Sequence, residues 1–313
     1  MRNYADIDYL HARIYAIRGR LLTLGGYSSI VRERQTALLK PGDLTGAAEN
    51  VFREQIAPVI ALACAYDKYA PLFIAFLRLF ETHNAKILLA RAYGRKSLNQ
   101  WYDISPFATL ERELLEKNLP PEELKPLISK TFYGIDFKEL SGFLRMAINL
   151  DISAAANLYN SSSLLSGNAR KEFQEMALRR QATLMVIWSR RLKSYYKWSD
   201  EQIGSYLEKF ESLIDGDTQS HVRVIEEAQN RQLEAIHKNG GSVPSVIDIE
   251  NNLEQGYYAW VSSMFHRDFH SIYCVVAYLW LLFYQIKNLF RIMNGRRFGM
   301  SDEAILNKII CDR

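Results

Sequence analysis

A chain of 313 residues, 48% of them hydrophobic, is long enough to bury a sizeable core, which indicates a globular protein. Its formal net charge of +4 falls below the strongly basic footprint of a dedicated nucleic-acid binder. The three cysteines, Cys64, Cys274 and Cys311, are odd in number and far apart, which argues against a disulfide framework and favours a reducing compartment.

The first third of the chain contains a pattern that recurs later. An apolar run, 72–77, leads to Glu81 and, three residues on, to Asn84. Ser97 then predicts the start of a helix, because its hydroxyl can accept from the N–H groups of the turn that follows, and Gln100 is placed to complete a capping box. The basic residues just before this serine are Arg91, Arg95 and Lys96.

The middle third repeats the basic stretch and the cap but not the polar pair. Ser199 is the predicted cap, with Gln202 in the capping-box position. Thr183 and Val186 stand where the first copy has its acid and its asparagine. The basic residues before this cap are Arg190, Arg191, Lys193 and Lys197.

The last third opens with a long amphipathic helix predicted over 217–238. Further on, an apolar run, 275–283, precedes Gln285 and Asn288, which are again three residues apart. Ser301 is the third predicted cap. The basic residues before it are Arg291, Arg296 and Arg297.

The three caps begin at 97, 199 and 301, so both intervals are 102 residues. Self-similarity at a fixed period is typical of repeat architecture. We therefore expect three similar helical units of about 102 residues that pack into one body. The predicted units are 1–105, 106–208 and 209–313. The alternative is a set of unrelated amphipathic helices whose basic ends complement the helix dipole.

The predicted fold class is all-α. From Leu127 to Arg313 the only proline is Pro244, and no run alternates apolar and polar residues for long enough to require a strand. The chain start lacks the apolar segment of a secretory leader. The longest apolar stretch, 272–284, is shorter than the roughly 18 residues that span a bilayer, so a membrane role would be peripheral.

Signals for a nucleotide or metal site are weak. The segment 94–97 reads Gly-Arg-Lys-Ser like the end of a phosphate-binding loop, but Leu89 stands where that loop needs its first glycine, and Arg95 replaces its lysine. His266 and His270 are spaced by one helical turn but lack a third ligand, so we interpret them as surface histidines of a helix. No cofactor is predicted.

Three acidic residues, Asp67, Glu81 and Asp151, are candidates for burial, which would raise their pKa values towards a catalytic range. No nucleophile accompanies them at a telling spacing. We therefore expect them to form helix–helix hydrogen bonds rather than an active site.

Three blocks, 8–22, 81–94 and 285–292, together with Gly299 and Ile305, resemble the C subunit of bacterial and archaeal V/A-type ATPases, called subunit d in eukaryotic V-ATPases. The resemblance runs from near residue 8 to the end of the chain. It depends on the order of the motifs, their repetition and the matching length. Gln285 and Phe290 stand where the resemblance leads us to expect an acid and an arginine.

The resemblance implies a non-catalytic rotor subunit. It also implies a three-lobed helical funnel, with three similar units around a pseudo-threefold axis. Such a subunit joins the central-stalk subunits to the proteolipid subunits of the membrane rotor ring, on the cytoplasmic side of the membrane. Nucleotide binding would belong to other subunits, and no nucleic acid would be bound. The alternative function is a helical-repeat adaptor with an unrelated partner.

Nine of the basic residues before the three caps are the candidate partner interface: Arg91, Arg95, Lys96, Arg190, Arg191, Lys193, Arg291, Arg296 and Arg297. In a threefold body they would form a ring of positive charge at one end, facing acidic residues of the stalk foot or the loops of the rotor ring. The alternative is a solvated basic surface without a partner.

Overall fold

The computed structural model describes residues 7–33, 44–95, 100–131, 142–214, 217–238, 245–267 and 270–312. Every regular element in these ranges is helical, which confirms the predicted all-α class. The α-helices, in chain order, are α1 (Ile7–Arg18), α2 (Leu24–Arg32), α3 (Leu44–Ala65), α4 (Ala70–Ala92), α5 (Leu114–Lys117), α6 (Pro121–Ser129), α7 (Phe143–Asn160), α8 (Gly167–Tyr196), α9 (Asp200–Glu211), α10 (Thr218–Lys238), α11 (Val246–Phe265), α12 (Ile272–Arg297) and α13 (Asp302–Leu306).

The contacts between residues group into two compact units. The first unit comprises Met1–Leu164 and Gln285–Ile309, and the second comprises Leu165–Tyr284 and Ile310–Arg313. The chain passes from the second unit to the first inside α12. The finer division into three repeats of 102 residues stays a prediction.

Helix α4 lies at the centre of the first unit, where it packs against α3, α6 and α7. Its buried side chains, among them Phe73, Leu77 and Leu89, lie on several faces of the helix. A helix that is apolar all round is typical of a core position. Pro71 suits the first turn, because the N–H that it lacks would have no intrahelical partner there.

Helix α8 has the corresponding role in the second unit and packs against α9, α10 and α11. Helix α10 covers Thr218–Lys238 and so confirms the long helix predicted over 217–238. Val222, on its apolar face, is buried. The second unit is therefore also built by laying apolar helix faces on a long central helix.

Helix α12 is long and apolar enough to cross a membrane by length and mean hydropathy alone. However, 94% of its most apolar window is buried inside the protein. The same composition is typical of a core helix, and this burial supports that interpretation.

Two of the three predicted serine caps are formed. Ser199 Oγ accepts from the N–H of Gln202 at 3.2 Å, and the Gln202 side chain accepts from the N–H of Ser199 at 3.0 Å, which completes the capping box. Ser301 Oγ accepts from the N–H of Ala304 at 3.2 Å. Ser97 lies outside the described residues.

The helix predicted after Ser97 is wrong for residues 100–104, which adopt no regular structure. The physical reason is tertiary, because side chains from α3 and α4 take the backbone hydrogen bonds that a helix would have used.

The three long helices that precede these serine positions end in a similar way. Each is followed by a residue with positive φ: Gly94 at 64°, Lys197 at 58° and Gly299 at 67°. This left-handed conformation lets the chain turn back and satisfy carbonyl groups of the last helical turn. In the first and third cases the closing bonds join Arg95 N to Ala90 O at 2.8 Å and Met300 N to Gly295 O at 2.9 Å.

Candidate partner interface

The first predicted basic cluster lies at the end of α4. Arg91 is half-buried in the last turn of the helix, and Arg95 is exposed just beyond it. The Arg95 guanidinium lies over the ring of Phe143, 4.8 Å from its centre. A cation over an aromatic face is held in place while its outer side stays open to a partner. Lys96 lies outside the described residues.

The second cluster, near the end of α8, is largely engaged within its own unit. Arg191 forms a two-point ion pair with Glu250, and this hydrogen bonding raises the pKa of Arg191. Lys193 Nζ lies 2.8 Å from Asp200 Oδ1, which is in the first turn of α9. Arg190 makes a long contact with Asn230 at 3.4 Å. These side chains already contact groups of the same unit, so they are less available to a partner.

The third cluster follows the same trend. Arg291 donates to Asn288 Oδ1 at 3.1 Å, and Arg296 Nη1 lies 2.6 Å from Asp302 Oδ1 in the first turn of α13. Arg297 is exposed, and it is followed by Phe298, which has 75% of its surface exposed. Arg297 and Phe298 thus form an open, mixed basic and aromatic end to α12.

Sequence reasoning missed the exposed aromatic residues beside the basic clusters. Tyr195 and Tyr196 are 57% and 48% exposed at the end of α8, in addition to Phe298 at the end of α12. Aromatic and arginine side chains are enriched at the centres of protein interfaces. In the sequence, each of these aromatic residues stands three or four positions before a predicted serine cap. Whether the three clusters form one ring stays a prediction.

The polar pair of the first copy holds a segment of backbone. Glu81, fully buried in α4, accepts from the N–H of Leu110 at 2.9 Å and from both the N–H and the hydroxyl of Thr109. Asn84, one turn later, accepts from the N–H of Tyr102 and donates to its carbonyl, both at 2.9 Å. Two side chains of one helix therefore fix both ends of the segment 102–110.

Glu49 of α3 adds a third fixed point that sequence reasoning missed. It is buried, accepts from the N–H of Trp101 at 2.9 Å, and forms an ion pair with Arg112 at 2.8 Å. Glu49 lies in a helix that is otherwise mostly apolar, which could have suggested a buried acid. Its partners are distant in sequence, and no local pattern indicates them.

The polar pair of the third copy is used in a related way. Gln285 accepts from the N–H of Leu22 at 2.6 Å and donates to the side chain of Gln55. Glu81 and Gln285 thus each hold the backbone of a segment far away in sequence. Phe290 packs edge-on against Tyr102, with ring centres 5.9 Å apart. Phe290 makes this aromatic contact at the position where the resemblance leads us to expect an arginine.

His83 lies beside this network in the first unit, with its ring centre 5.4 Å from that of Tyr102. Its pKa is lowered to about 3, because the crowded surroundings disfavour the charged ring and because Lys86 and Lys287 repel a further positive charge. Because the His83 side chain is exposed to solvent, we attribute its lowered pKa chiefly to the two lysines. The imidazole is therefore neutral at physiological pH. Burial also raises the pKa of Tyr102 to about 12.

The second unit buries a different polar network. Arg180 Nη1 and Nη2 lie 2.6 and 3.1 Å from the two oxygens of Glu254, and the hydroxyl of Tyr284 donates to the same carboxylate. Aromatic rings, including those of Tyr257 and Trp280, surround the guanidinium. Burial disfavours the charge of Arg180, but Glu254 more than offsets this effect, and the net pKa of Arg180 is raised.

The remaining acidic candidates have mixed outcomes. Asp151 of α7 pairs with Lys86 of α4, which confirms the expected helix–helix contact. Glu81 is buried as expected, but it binds the backbone of a connecting segment rather than another helix. The expectation that Asp67 is buried is wrong, since it lies exposed in the turn before α4.

The interpretation of His266 and His270 as two histidines of one helix is wrong. Helix α11 ends at Phe265, so His266 caps it and His270 lies beyond. Both residues are exposed, as expected for surface histidines.

Long buried helices whose ends carry basic and aromatic side chains define a helical protein suited to contacts with other proteins. The chain belongs to the ATP synthase (C/AC39) subunit family, whose profile matches residues 20–308. It is accordingly a subunit of a V/A-type ATPase. No match was found among curated proteins.

Proposed function

We propose that this chain is the non-catalytic central-rotor subunit of a V/A-type ATPase. It couples the central stalk to the membrane rotor ring, so that ATP hydrolysis or synthesis on other subunits is linked to ion translocation. Its partners are the central-stalk subunits and the proteolipid subunits of the ring, and it lies peripherally on the cytoplasmic side of the membrane. The match of residues 20–308 to the C/AC39 family carries this proposal.

The packing of the chain supports a torque-bearing role. In each unit a long, buried helix forms the centre, and other helices pack along it. Carboxylate and amide side chains hold the segment 101–110 to α3 and α4 at several points. Segments held in this way have little freedom to yield when the partner turns, because each backbone bond must be exchanged before the segment moves.

The experiment is a bridging assay. The rotor ring of the same ATPase is immobilised in detergent, the central-stalk subunits are added, and the retained stalk is measured with and without this chain. We expect retention of the stalk only when the chain is present. Binding of the chain to neither partner, under conditions where it is folded, would refute the rotor role.

The role of the basic clusters is tested in the same assay. Reversing the exposed charges in the double variant Arg95→Glu, Arg297→Glu should weaken bridging, and bridging by the native chain should weaken as salt rises. Arg223→Glu, an exposed charge reversal on α10 outside the clusters, is the matched control. Unchanged bridging by the double variant at both low and high salt would make the clusters solvated surface.

A further inference from the structure

Two core helices reach the solvent at one place in the first unit. His83 is the only exposed residue of α4, and within residues 272–289 of α12 only Lys287 is not buried. Tyr102 connects the two openings, because its ring centre lies 5.4 Å from that of His83 and 5.9 Å from that of Phe290, which is one helical turn after Lys287. Two otherwise buried helices thus present basic side chains to solvent beside aromatic rings.

These four residues and Lys86 form a surface that we call the His83 patch, and this surface carries positive charge. Lys86 lies one helical turn after His83 on α4, keeps 21% of its side-chain surface exposed and pairs with Asp151. Lys287 adds a second lysine from α12. Besides the crowded surroundings, the charges of both lysines lower the pKa of His83, so both act on this part of the surface. Such a surface attracts groups of negative charge.

Buried hydrogen bonds fix the backbone under the His83 patch. Asn84 holds the backbone of Tyr102 through two hydrogen bonds of 2.9 Å, and Gln285, two residues before Lys287, accepts from the N–H of Leu22. A side chain that projects from a fixed backbone loses less conformational freedom when it binds a partner. The patch is therefore prepared for recognition.

The strength of exposed ion pairs indicates which anion the patch can hold. A solvent-exposed ion pair strengthens binding by at most about fivefold, and two of them by about 25-fold, whereas a millimolar dissociation constant corresponds to about a thousandfold. A free inorganic ion would therefore not stay bound, and the anion has to belong to a molecule that further contacts hold. Tyr102 and Phe290 offer such contacts, because aromatic side chains are enriched in protein interfaces.

We propose that the His83 patch binds an acidic side chain of another subunit of the ATPase. The carboxylate pairs with Lys287 and Lys86, and the chain around it packs against Tyr102 and Phe290. Lys86 keeps its bond to Asp151, since an ammonium group has three donors. This inference rests on the rotor function proposed above, which supplies the partner subunits, and it adds a specific contact to that function.

Carbodiimide cross-linking tests the contact in a complex of the chain with the central-stalk subunits and the rotor ring. The reagent condenses a lysine amine with a carboxylate that it touches into an amide, and it takes up the water that is lost. We expect mass spectrometry to find an amide between Lys287 or Lys86 and an acidic residue of another subunit. The amide between Lys86 and Asp151 is the internal positive control. Its formation without any intermolecular amide from either lysine would overturn the proposal.

Variants of Lys287 test whether the contact contributes to binding. Lys287→Glu should weaken binding of the cross-linked subunit roughly tenfold, because it replaces attraction by repulsion, and Lys287→Arg should bind within twofold of the native chain. Lys125→Glu, which reverses a half-buried lysine of α6 in the same unit, is the matched control, and thermal melting checks that each variant is folded. Native-like binding by folded Lys287→Glu would overturn the proposal and leave the rotor function intact. A native chain that binds neither stalk nor ring would instead refute the rotor function.

A titration of the isolated chain with inorganic phosphate tests the choice of a protein anion. The NMR signal of His83, in selectively labelled protein, should show no saturable shift up to about 10 mM phosphate. Saturation in the low-millimolar range would make the His83 patch a site for a free anion and would overturn its assignment to a protein partner.

Discussion

The two units each bury a glutamate, but they satisfy it in different ways. In the first unit, Glu81 accepts hydrogen bonds from the backbone of Thr109 and Leu110. In the second, Glu254 pairs with the buried Arg180 and accepts from Tyr284. The first arrangement fixes a connecting segment against a helix, whereas the second fixes helices against each other.

The difference shows what each acid contributes. A carboxylate bound by N–H groups determines the path of a segment that has no regular structure of its own. A buried ion pair contributes little net free energy when it is complete, but it becomes costly when one partner is removed, because a charge then remains buried without compensation. We therefore expect loss of Glu254 to affect the whole unit and loss of Glu81 to act more locally.

The largest expected effect follows removal of the buried acid of the second unit. Glu254→Ala leaves the guanidinium of Arg180 buried among aromatic rings without its counter-ion, and it also removes the acceptor of Tyr284. We expect a loss of about 3–5 kcal/mol in the free energy of unfolding, measured by urea denaturation.

The matched control for this prediction replaces both charges. The double variant Arg180→Met, Glu254→Leu removes the pair while keeping apolar volume, and it should be much more stable than Glu254→Ala. If the double variant is as unstable as the single one, loss of packing rather than an uncompensated charge explains the effect.

A smaller and more local effect is expected for Glu81. Glu81→Ala leaves the N–H groups of Thr109 and Leu110 without their acceptor, which should cost about 1–3 kcal/mol. Amide hydrogen exchange should accelerate at residues 109 and 110 more than in α7. Uniform acceleration across the first unit would show that Glu81 supports the whole unit, as Glu254 is expected to do in the second.

Loss of the capping box of α9 should lower the free energy of unfolding by a smaller amount still. Ser199→Ala removes the acceptor of the Gln202 N–H and should lower stability by about 1 kcal/mol in a urea titration. Ser205→Ala, a serine in the same helix whose hydroxyl donates to the carbonyl of Gln202, is the control. Equal losses in the two variants would contradict a specific role of the cap.

The last prediction concerns the titration of His83. Its pKa is lowered from 6.5 to about 3 in the folded protein, so the unfolded chain binds a proton more readily at any pH between these values. This histidine therefore contributes stability at neutral pH that is lost as the pH falls through that window. Lys287→Gln removes one repelling charge and should raise the pKa of His83, as followed by NMR of selectively labelled histidines. An unchanged pKa would show that Lys287 does not contribute to the lowering and would leave the crowded surroundings and Lys86 as its causes.

Features with a local cause were predictable from the sequence. The caps at Ser199 and Ser301 and the course of α10 follow from a hydroxyl before a helical turn and from apolar residues at helical spacing. The helix predicted after Ser97 is absent at residues 100–104, because Glu49 and Asn84 hold this part of the chain outside a helix. A capping residue indicates only that the segment after it could form a helix on its own. Here side chains of α3 and α4 accept from the N–H groups of Trp101 and Tyr102 instead.

The candidate partner interface likewise has features that the sequence predicted and features that it did not. Its basic residues and their recurrence before the caps could be found in the sequence, since charge and spacing are properties of the chain itself. Which of these residues are paired within the protein could not be predicted: Arg296 pairs with Asp302, whereas Arg297 remains exposed. Neighbours in sequence point in different directions around a helix, and only packing decides which of them meets a partner within the protein.

The sequence by itself determined the all-α class, the helix caps near 199 and 301 and the family, because helical periodicity, capping chemistry and motif order are written along the chain. Only the tertiary structure decided that Glu81, Glu49 and Gln285 bind backbone groups distant in sequence, and that Arg180 is buried with Glu254. These partners lie between 28 and 263 positions apart. A buried polar group must find a partner, but which group lies nearest is set by how the helices pack.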